Sequence, residues 1–296
     1  MRPGRFRHFL AIDWSGAAGE RQKGIALAIA DADGGPPVLI DPPLRGWSRE
    51  DVLAILRDAL PPDTLVGMDL GIALPFADAG GYFPGWADSP ADAKALWRLI
   101  DETCAADEHL AASAFVAHPE ARRHYRHSAD DTGDRFHLPG APTREGRFRI
   151  TEHAQRASGV RPVSNFNLVG AAQVGKSSLT GMRMLHRLGG AVPVWPIDPL
   201  PERGSVIVEM YTTIAARGAG VRKGVSKIRT FEDLADRLAE LGSPPITGSG
   251  PIDDHSSDAL VTAAWLRAVA HRPDYWKPAN LTREIARTEG WTFGAL

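Results

Sequence analysis

Four carboxylates, Asp13, Asp69, Glu209 and Asp258, stand where apolar, strand-like runs end or where a late helix begins. Those are positions from which a fold can bring distant acids to one point. Clustered carboxylates repel one another and are costly to hold together unless something neutralises them. Hard divalent cations such as Mg²⁺ or Mn²⁺ do so through oxygen ligands. The chemistry such a cluster supports is metal-assisted hydrolysis of a phosphodiester. Each acid also has a plainer reading: Asp13 and Asp69 as strand caps leading into turns, Glu209 as a solvated strand terminus. The most specific signal is Asp254, His255 and Asp258 at i, i+1 and i+4. Asp254 and Asp258 share one helix face, with His255 at its flank. The helix dipole alone accounts for Asp254. It does less for Asp258, which sits a turn inside, ahead of ALVTAAWL, and is expected to face the sheet.

The elements that must position these acids follow from hydrophobic periodicity. HFLAIDW at 8 to 14, GIALAIA at 24 to 30 and Val38 to Ile40 read as three strands. Gly-containing and DADGGPP turn signals separate them. Ser48, with Asp51 three residues on, is placed as an N-cap with a capping-box partner for DVLAILRDAL, which stops at Pro61-Pro62. TLVGMD at 64 to 69 returns as a fourth strand. The first 70 residues thus predict an antiparallel meander, a helix and a further strand, an α/β layering. Helices are expected near Pro90 to Ala106 and Ser177 to Leu188, within a stretch of about 75–203 read as an insertion or lid on one domain spanning 1–296. SVIVEM at 205 to 210 reads as a strand, and Thr230 to Leu241 and Asp254 to Ala270 as helices.

AIDWSG, VGMDLG, VIVEMY and DDHSSDALVTAAW, in that order, resemble the RNase H-like superfamily, and most closely the predicted-nuclease family called domain of unknown function 429. HSSDALVTAA is also similar to the last helix of bacterial Holliday-junction resolvases, and EGWTFG at 289 to 294 to the ending of that predicted-nuclease family. The resemblance covers the first 75 residues and the last 90 or so, and the middle only loosely. It implies an RNase H-like mixed five-stranded sheet, helices on both faces and a large insertion after the fourth strand. It further implies one or two Mg²⁺ or Mn²⁺ ions held by Asp13, Asp69, Glu209 and Asp258, with Asp254 or His255, and a nucleic acid or nucleotide as substrate. The chain departs from the family pattern after Glu209, where Thr212 stands in place of an expected proline, so the bend there is not specified by proline.

A competing motif is present. Gly170 to Ser177, GAAQVGKS, satisfies GxxxxGK[ST], in which backbone N–H groups cradle phosphates, Lys176 reaches them and Ser177 meets Mg²⁺. That implies a nucleotide-binding ATPase or kinase-like protein. The preceding VSNFNLV carries Ser164, Asn165 and Asn167 where a buried strand is needed. Lys176 and Ser177 could instead meet a substrate phosphate at a helix N-terminus. Arg222, Lys223 and Lys227, close behind Glu209, could position phosphate as well, or form a basic loop. His118, His124, His127 and His137 suggest a weak zinc pattern without cysteine support. Tyr82, Phe83 and Trp86 suit base stacking or a hydrophobic cluster. The basic stretches Arg122 to Arg126, Arg144 to Arg149 and Arg217 to Arg229 suit nucleic acid or a solvated surface. A third possibility is a binding module of this fold without turnover.

Composition sets outer bounds. Of 296 residues 43% are hydrophobic, enough for a sizeable core. A net charge of −2 argues against a surface coated for nucleic acid. The one cysteine, Cys104, excludes an internal disulfide and a cysteine zinc cluster. No apolar run reaches membrane-spanning length and no secretory h-region opens the chain, so a cytoplasmic setting is expected.

Overall fold

A computed structural model describes residues 4–141, 144–170, 173–221 and 227–296. The chain is an α/β protein built on a mixed six-stranded sheet in the order β3-β2-β1-β4-β6-β5. β1 (His8–Asp13), β2 (Ala26–Asp31) and β3 (Val38–Ile40) form the antiparallel meander, and β4 (Thr64–Asp69) pairs parallel with β1. β6 (Val206–Glu209) pairs parallel with β4, and β5 (Val194–Trp195) adds an outer parallel strand. Five strands were expected, and β5 is the sixth. It lies in the proline-rich lead-out, where Pro193 and Pro196 permit only a two-residue edge strand, because proline donates nothing to a ladder. The Pro193 carbonyl still accepts from Ile207 N at 2.9 Å.

Both sheet faces are covered, which is why β1 and β4 are continuously apolar rather than alternating. Leu10, Ile12, Val66, Met68 and Ile207 point to one layer. It holds α1 (Arg49–Ala54), α2 (Ala93–Thr103), α3 (Ser113–Ala117), α4 (Pro119–Arg122) and α6 (Val174–Leu188). The Ser48–Asp51 capping box is formed in both directions at 3.0 Å, and a π-helical turn carries α1 on to Ala59, ahead of the two prolines. α2 and α6 come from the segment read as an insertion or lid, yet Leu96, Ile100, Leu179 and Met182 belong to the same core as the strands.

Phe9, Ala11, Ala28, Leu65, Val206 and Val208 point to the opposite layer. There α5 (Ile150–Ala157), α7 (Thr212–Gly218), α8 (Phe231–Glu240), α9 (Asp254–Val269), α10 (Pro273–Trp276) and α11 (Arg283–Thr288) gather with the C-terminal Trp291 and Phe293. α9 lies against β1 and β2, alanine on alanine, and is apolar nearly all round because it is enclosed. Gly67 allows this approach: a Cβ there would stand 2.6 Å from Met210 Cγ and 2.8 Å from Leu266 Cδ1. Among the described residues no helix is long and apolar enough to cross a membrane.

Candidate functional site

Side-chain alternation along the strands decides which acids meet. Asp13 and Asp69 are register partners at the ends of neighbouring parallel strands. Both continue the rows facing α9, after Phe9 and Ala11 on β1 and Leu65 and Gly67 on β4. From the other side, the first turns of α9 bring His255 and Asp258. His255 Nδ1 stands 2.6 Å from Asp13 Oδ2. Asp13 is 8% exposed, whereas His255 reaches the surface.

The electrostatics follow from this crowding. Burial raises the Asp258 carboxyl to about 7, with the charges of Asp13 and Asp254 adding to the effect and Lys227 and His255 opposing it. Burial, then the charges of Asp13 and Asp258, lift Asp69 well above the usual carboxylate range, while a 3.3 Å hydrogen bond from Thr212 Oγ1 pulls the other way. The hydrogen bond to Asp13 raises His255, and burial raises Asp13 on the other side of that bond. Asp254 lies a turn outward, paired with Lys227. Asp253 caps α9 by accepting from Ser256 N at 2.9 Å.

Glu209 does not join them. Its register partner is Met68, not Asp69, so it points to the opposite face of the sheet. There it is 3% exposed and accepts four hydrogen bonds. Arg149 binds it through Nη1 at 2.7 Å and Nη2 at 2.5 Å. Thr292 Oγ1 donates at 2.5 Å and Ile72 N at 2.9 Å. Four donors fill a carboxylate's acceptor sites, which corrects the expectation of Glu209 as a free metal ligand. Arg149 also binds Glu152, at 2.6 Å from Nη2 and 2.9 Å from Nε, so one guanidinium joins two buried glutamates. The neighbouring Glu289 is a scaffold too, accepting from Phe76 N, Ala77 N and Ile150 N at 2.7 to 2.8 Å. Arg149 was not singled out from sequence; its basic stretch, Arg144 to Arg149, suited nucleic acid or a solvated surface alike. The one available signal was the Arg149-x-x-Glu152 spacing ahead of a helix.

A cavity of about 400 Å³ opens over the ends of β1, β4 and β6. Trp14, Asp69, Arg149, Glu209, Tyr211 and His255 line it, with Asn165, Gln155, Gln173 and Ser177 on its polar wall. Asp13 and Asp258 lie behind His255 and Asp69 rather than in that lining. The fold makes the expected bend after Glu209 without proline, because α7 starts at Thr212 and turns its hydroxyl onto Asp69.

The phosphate-cradle reading of Gly170 to Ser177 is not supported by the fold. Among the described residues no strand leads directly into α6; an isolated bridge at Asn167 stands there instead. α6 begins at Val174, so Gly175 and Lys176 already lie inside it. The Gly175 N–H is bonded to Asn167 O at 2.9 Å and that of Lys176 to Gln173 O at 3.0 Å, leaving neither free for a phosphate. The helix start is also covered: a Cβ on Gly16 would fall 2.3 Å from Ser177 N. Lys176 is exposed and outside the cavity lining, whereas Ser177 lines it. Arg222 and Lys223 lie outside the described residues.

The remaining candidates disperse. His124 is buried among Phe83 and Phe166 and is lowered to about 3, by burial first and then by Arg147, Arg135 and Arg123. His118 stacks on Trp86, and His127 hydrogen-bonds Arg122 O at 3.0 Å. Tyr82 and Phe83 are core residues. In the basic stretches, Arg122 and Arg123 pair with Asp131 and Asp134, Arg147 with Asp78, and Arg217 with the Ser158 and Gly159 carbonyls. Among the described residues no group of three or more His, Cys, Asp or Glu side chains is placed so that it could hold a metal ion.

No family model, no curated protein and no solved structure matches this chain.

Proposed function

We propose that the chain is a metal-dependent phosphodiesterase of RNase H-like architecture acting on a nucleic acid or nucleotide. The observation that carries this reading is the in-register pair Asp13 and Asp69, with Asp258 brought to it from the opposite layer. The strand order supports the architecture, since β3-β2-β1 is an antiparallel meander and β4 and β6 run parallel to β1. β5 then extends the expected sheet by one edge strand.

The donor set fits Mg²⁺ or Mn²⁺. The charges of Asp13, Asp69 and Asp258 oppose one another, with His255 as a local counter-charge, and a divalent cation would relieve that repulsion. Mg²⁺ takes one or two carboxylates together with water and substrate phosphate, so Asp13 and Asp69 suffice and a preformed cage of three is not required. Such an ion, when bound, supplies positive charge to phosphoryl oxygens and acidifies water. Asp69 lines the cavity. His255 fixes the orientation of Asp13 and, protonated at the rim, offers a cation to a phosphate oxygen. Asn165, Gln155 and Ser177 supply the uncharged polar wall against which a sugar or base edge can rest. Arg149 and Glu209 hold the ends of β4 and β6 in place rather than binding the ion.

The test is calorimetric titration of metal-stripped protein with MnCl₂, beside Asp69→Asn, followed by cleavage assays on single- and double-stranded DNA and RNA. The expected result is saturable binding that weakens at least about tenfold in Asp69→Asn, and Mn²⁺-dependent cleavage that the variant loses. Equal binding by the variant would refute the site. Metal binding without cleavage of any phosphodiester would favour a binding module.

A further inference from the structure

The opposite end of the sheet holds a second cavity. Arg5, Asp63 and the segment Leu200 to Arg203 lie just ahead of β1, β4 and β6, so the cavity they line sits one strand length, about 20 Å, from the acids. Its volume is about 930 Å³, and Pro273, Trp276 and Lys277 close the far wall.

Arg5 is the informative residue. Both terminal nitrogens of its guanidinium are buried and neither has a hydrogen-bond partner. A stack holds the group instead: its Cζ lies 4.4 Å from the centroid of Phe6, and Phe6 in turn stacks on Trp276 at 6.0 Å and 22°. Stacking on an aromatic face fixes the plane of a guanidinium while leaving its N–H fork free. Arg5 as a whole is part-buried, but guanidinium nitrogens shut off from water without a partner are unfavourable until one arrives. Burial accordingly weakens the proton affinity of Arg5, and the charge of Asp63 offsets this only in part. Asp63 itself is committed to Gly204 N at 2.9 Å. Arg203 and Lys277 add two exposed cations at the same cavity, neither in an ion pair among the described residues. Glu202 is the opposing charge at the mouth.

From this we infer that the cavity is an anion site for a small phosphorylated ligand, with phosphate oxygens taken by Arg5, Arg203 and Lys277 and the apolar remainder laid against Leu200, Pro201 and Trp276. Arg5 supplies a fork matched to a phosphate once the groups that cover its terminal nitrogens move aside, and the cavity is roomy enough for a nucleotide-sized molecule. The site goes beyond the proposed hydrolytic centre and does not depend on it, because no residue is shared.

The experiment is thermal unfolding and calorimetry in phosphate-free buffer, with inorganic pyrophosphate and then AMP as probes. Arg5→Met and the double surface variant Arg203→Gln/Lys277→Gln are measured beside the wild type and Asp69→Asn. Pyrophosphate is expected to raise the wild-type Tm by several degrees at constant ionic strength, and the same rise is expected in Asp69→Asn. Both cationic-site variants should lose at least tenfold in affinity. Arg5→Met should also melt no lower than the wild type without ligand, since it removes an unpaired buried charge. AMP binding tighter than pyrophosphate would support the apolar wall. A rise reproduced by equal ionic strength of NaCl would overturn the site, as would undiminished binding in the surface variant. A long oligonucleotide binding there far more tightly than AMP would replace the small ligand with a nucleic-acid backbone.

Discussion

Arg149 holds two buried carboxylates, and its removal would strand both. Its guanidinium gives Glu209 two hydrogen bonds and Glu152 three, and burial raises Glu152 even with Arg149 pulling the other way. Breaking a buried ion pair from one side costs about 3–5 kcal/mol, because the remaining charge stays unpaired. Arg149→Met should therefore lower stability by about that amount in urea unfolding, and an unchanged midpoint would contradict the network. Asp258 behaves in the opposite sense. Its folded pKa, about 7, lies above the value of 3.8 for a free carboxyl. Below 3.8 the group is protonated in both states and stability is intact. As pH rises through 7 the native state must take up a charge it resists, and stability is lost. Asp258→Asn should thus stabilise metal-free protein at pH 8, on the order of 2 kcal/mol, with the gain vanishing near pH 3.5. A loss at pH 8 would mean that Asp258 is held by contacts other than repelling acids. Asp13, Asp69 and Asp258 were legible in the sequence because an acid closing an apolar strand or entering an apolar helix breaks a pattern. Glu209 broke the same pattern but could not be told apart, since register alone decides which face a strand-end acid takes. Arg149 was hidden among other arginines, where nothing local separates a buried one from a solvated one.

The connections between elements carry as much of the site as the strands do. The turn after β1 passes so near the start of α6 that only glycine fits at position 16. Gly16→Ala should shift α6 or the turn and cost about 1–3 kcal/mol, with any change in Mn²⁺ affinity following the displacement of Asp13. A variant that unfolds at the wild-type midpoint would show that this contact yields freely. Strands and long helices were readable from periodicity, and Ser48 announced its cap. Short elements were not. β5 has two residues inside a proline run, and α7 and α11 have seven and six, too few turns to repeat a pattern. The phosphate-loop motif was matched residue by residue, but its meaning lies in a strand leading into the loop and in free N–H groups; among the described residues that strand is missing and the N–H groups of Gly175 and Lys176 are taken.

At the scale of the whole molecule the two sheet layers act as a vice on the acidic centre. β1 and β4 bring two carboxylates from below, and α9 closes with a third from above, so folding itself concentrates negative charge. A ligand that binds only this folded arrangement must stabilise it, by about 2.7 kcal/mol at a hundred times its dissociation constant. For a chain of this size that corresponds to a rise of roughly 5 °C in Tm. Protons compete for the same oxygens. Above pH 7 Asp258 is ionised and the acids are open to a cation; below it the proton lowers the local charge and cation affinity falls with it. The Tm increase given by a fixed concentration of Mn²⁺ should therefore be larger at pH 8 than at pH 5.5, and should be lost at both in Asp13→Asn. Ca²⁺, larger and content with more oxygen ligands than this centre offers, should stabilise less than Mn²⁺ at the same concentration. Differential scanning calorimetry at the two pH values measures all of this in one series. An increase independent of pH and retained in Asp13→Asn would place the ion elsewhere and leave the three aspartates as a strained device of the fold alone.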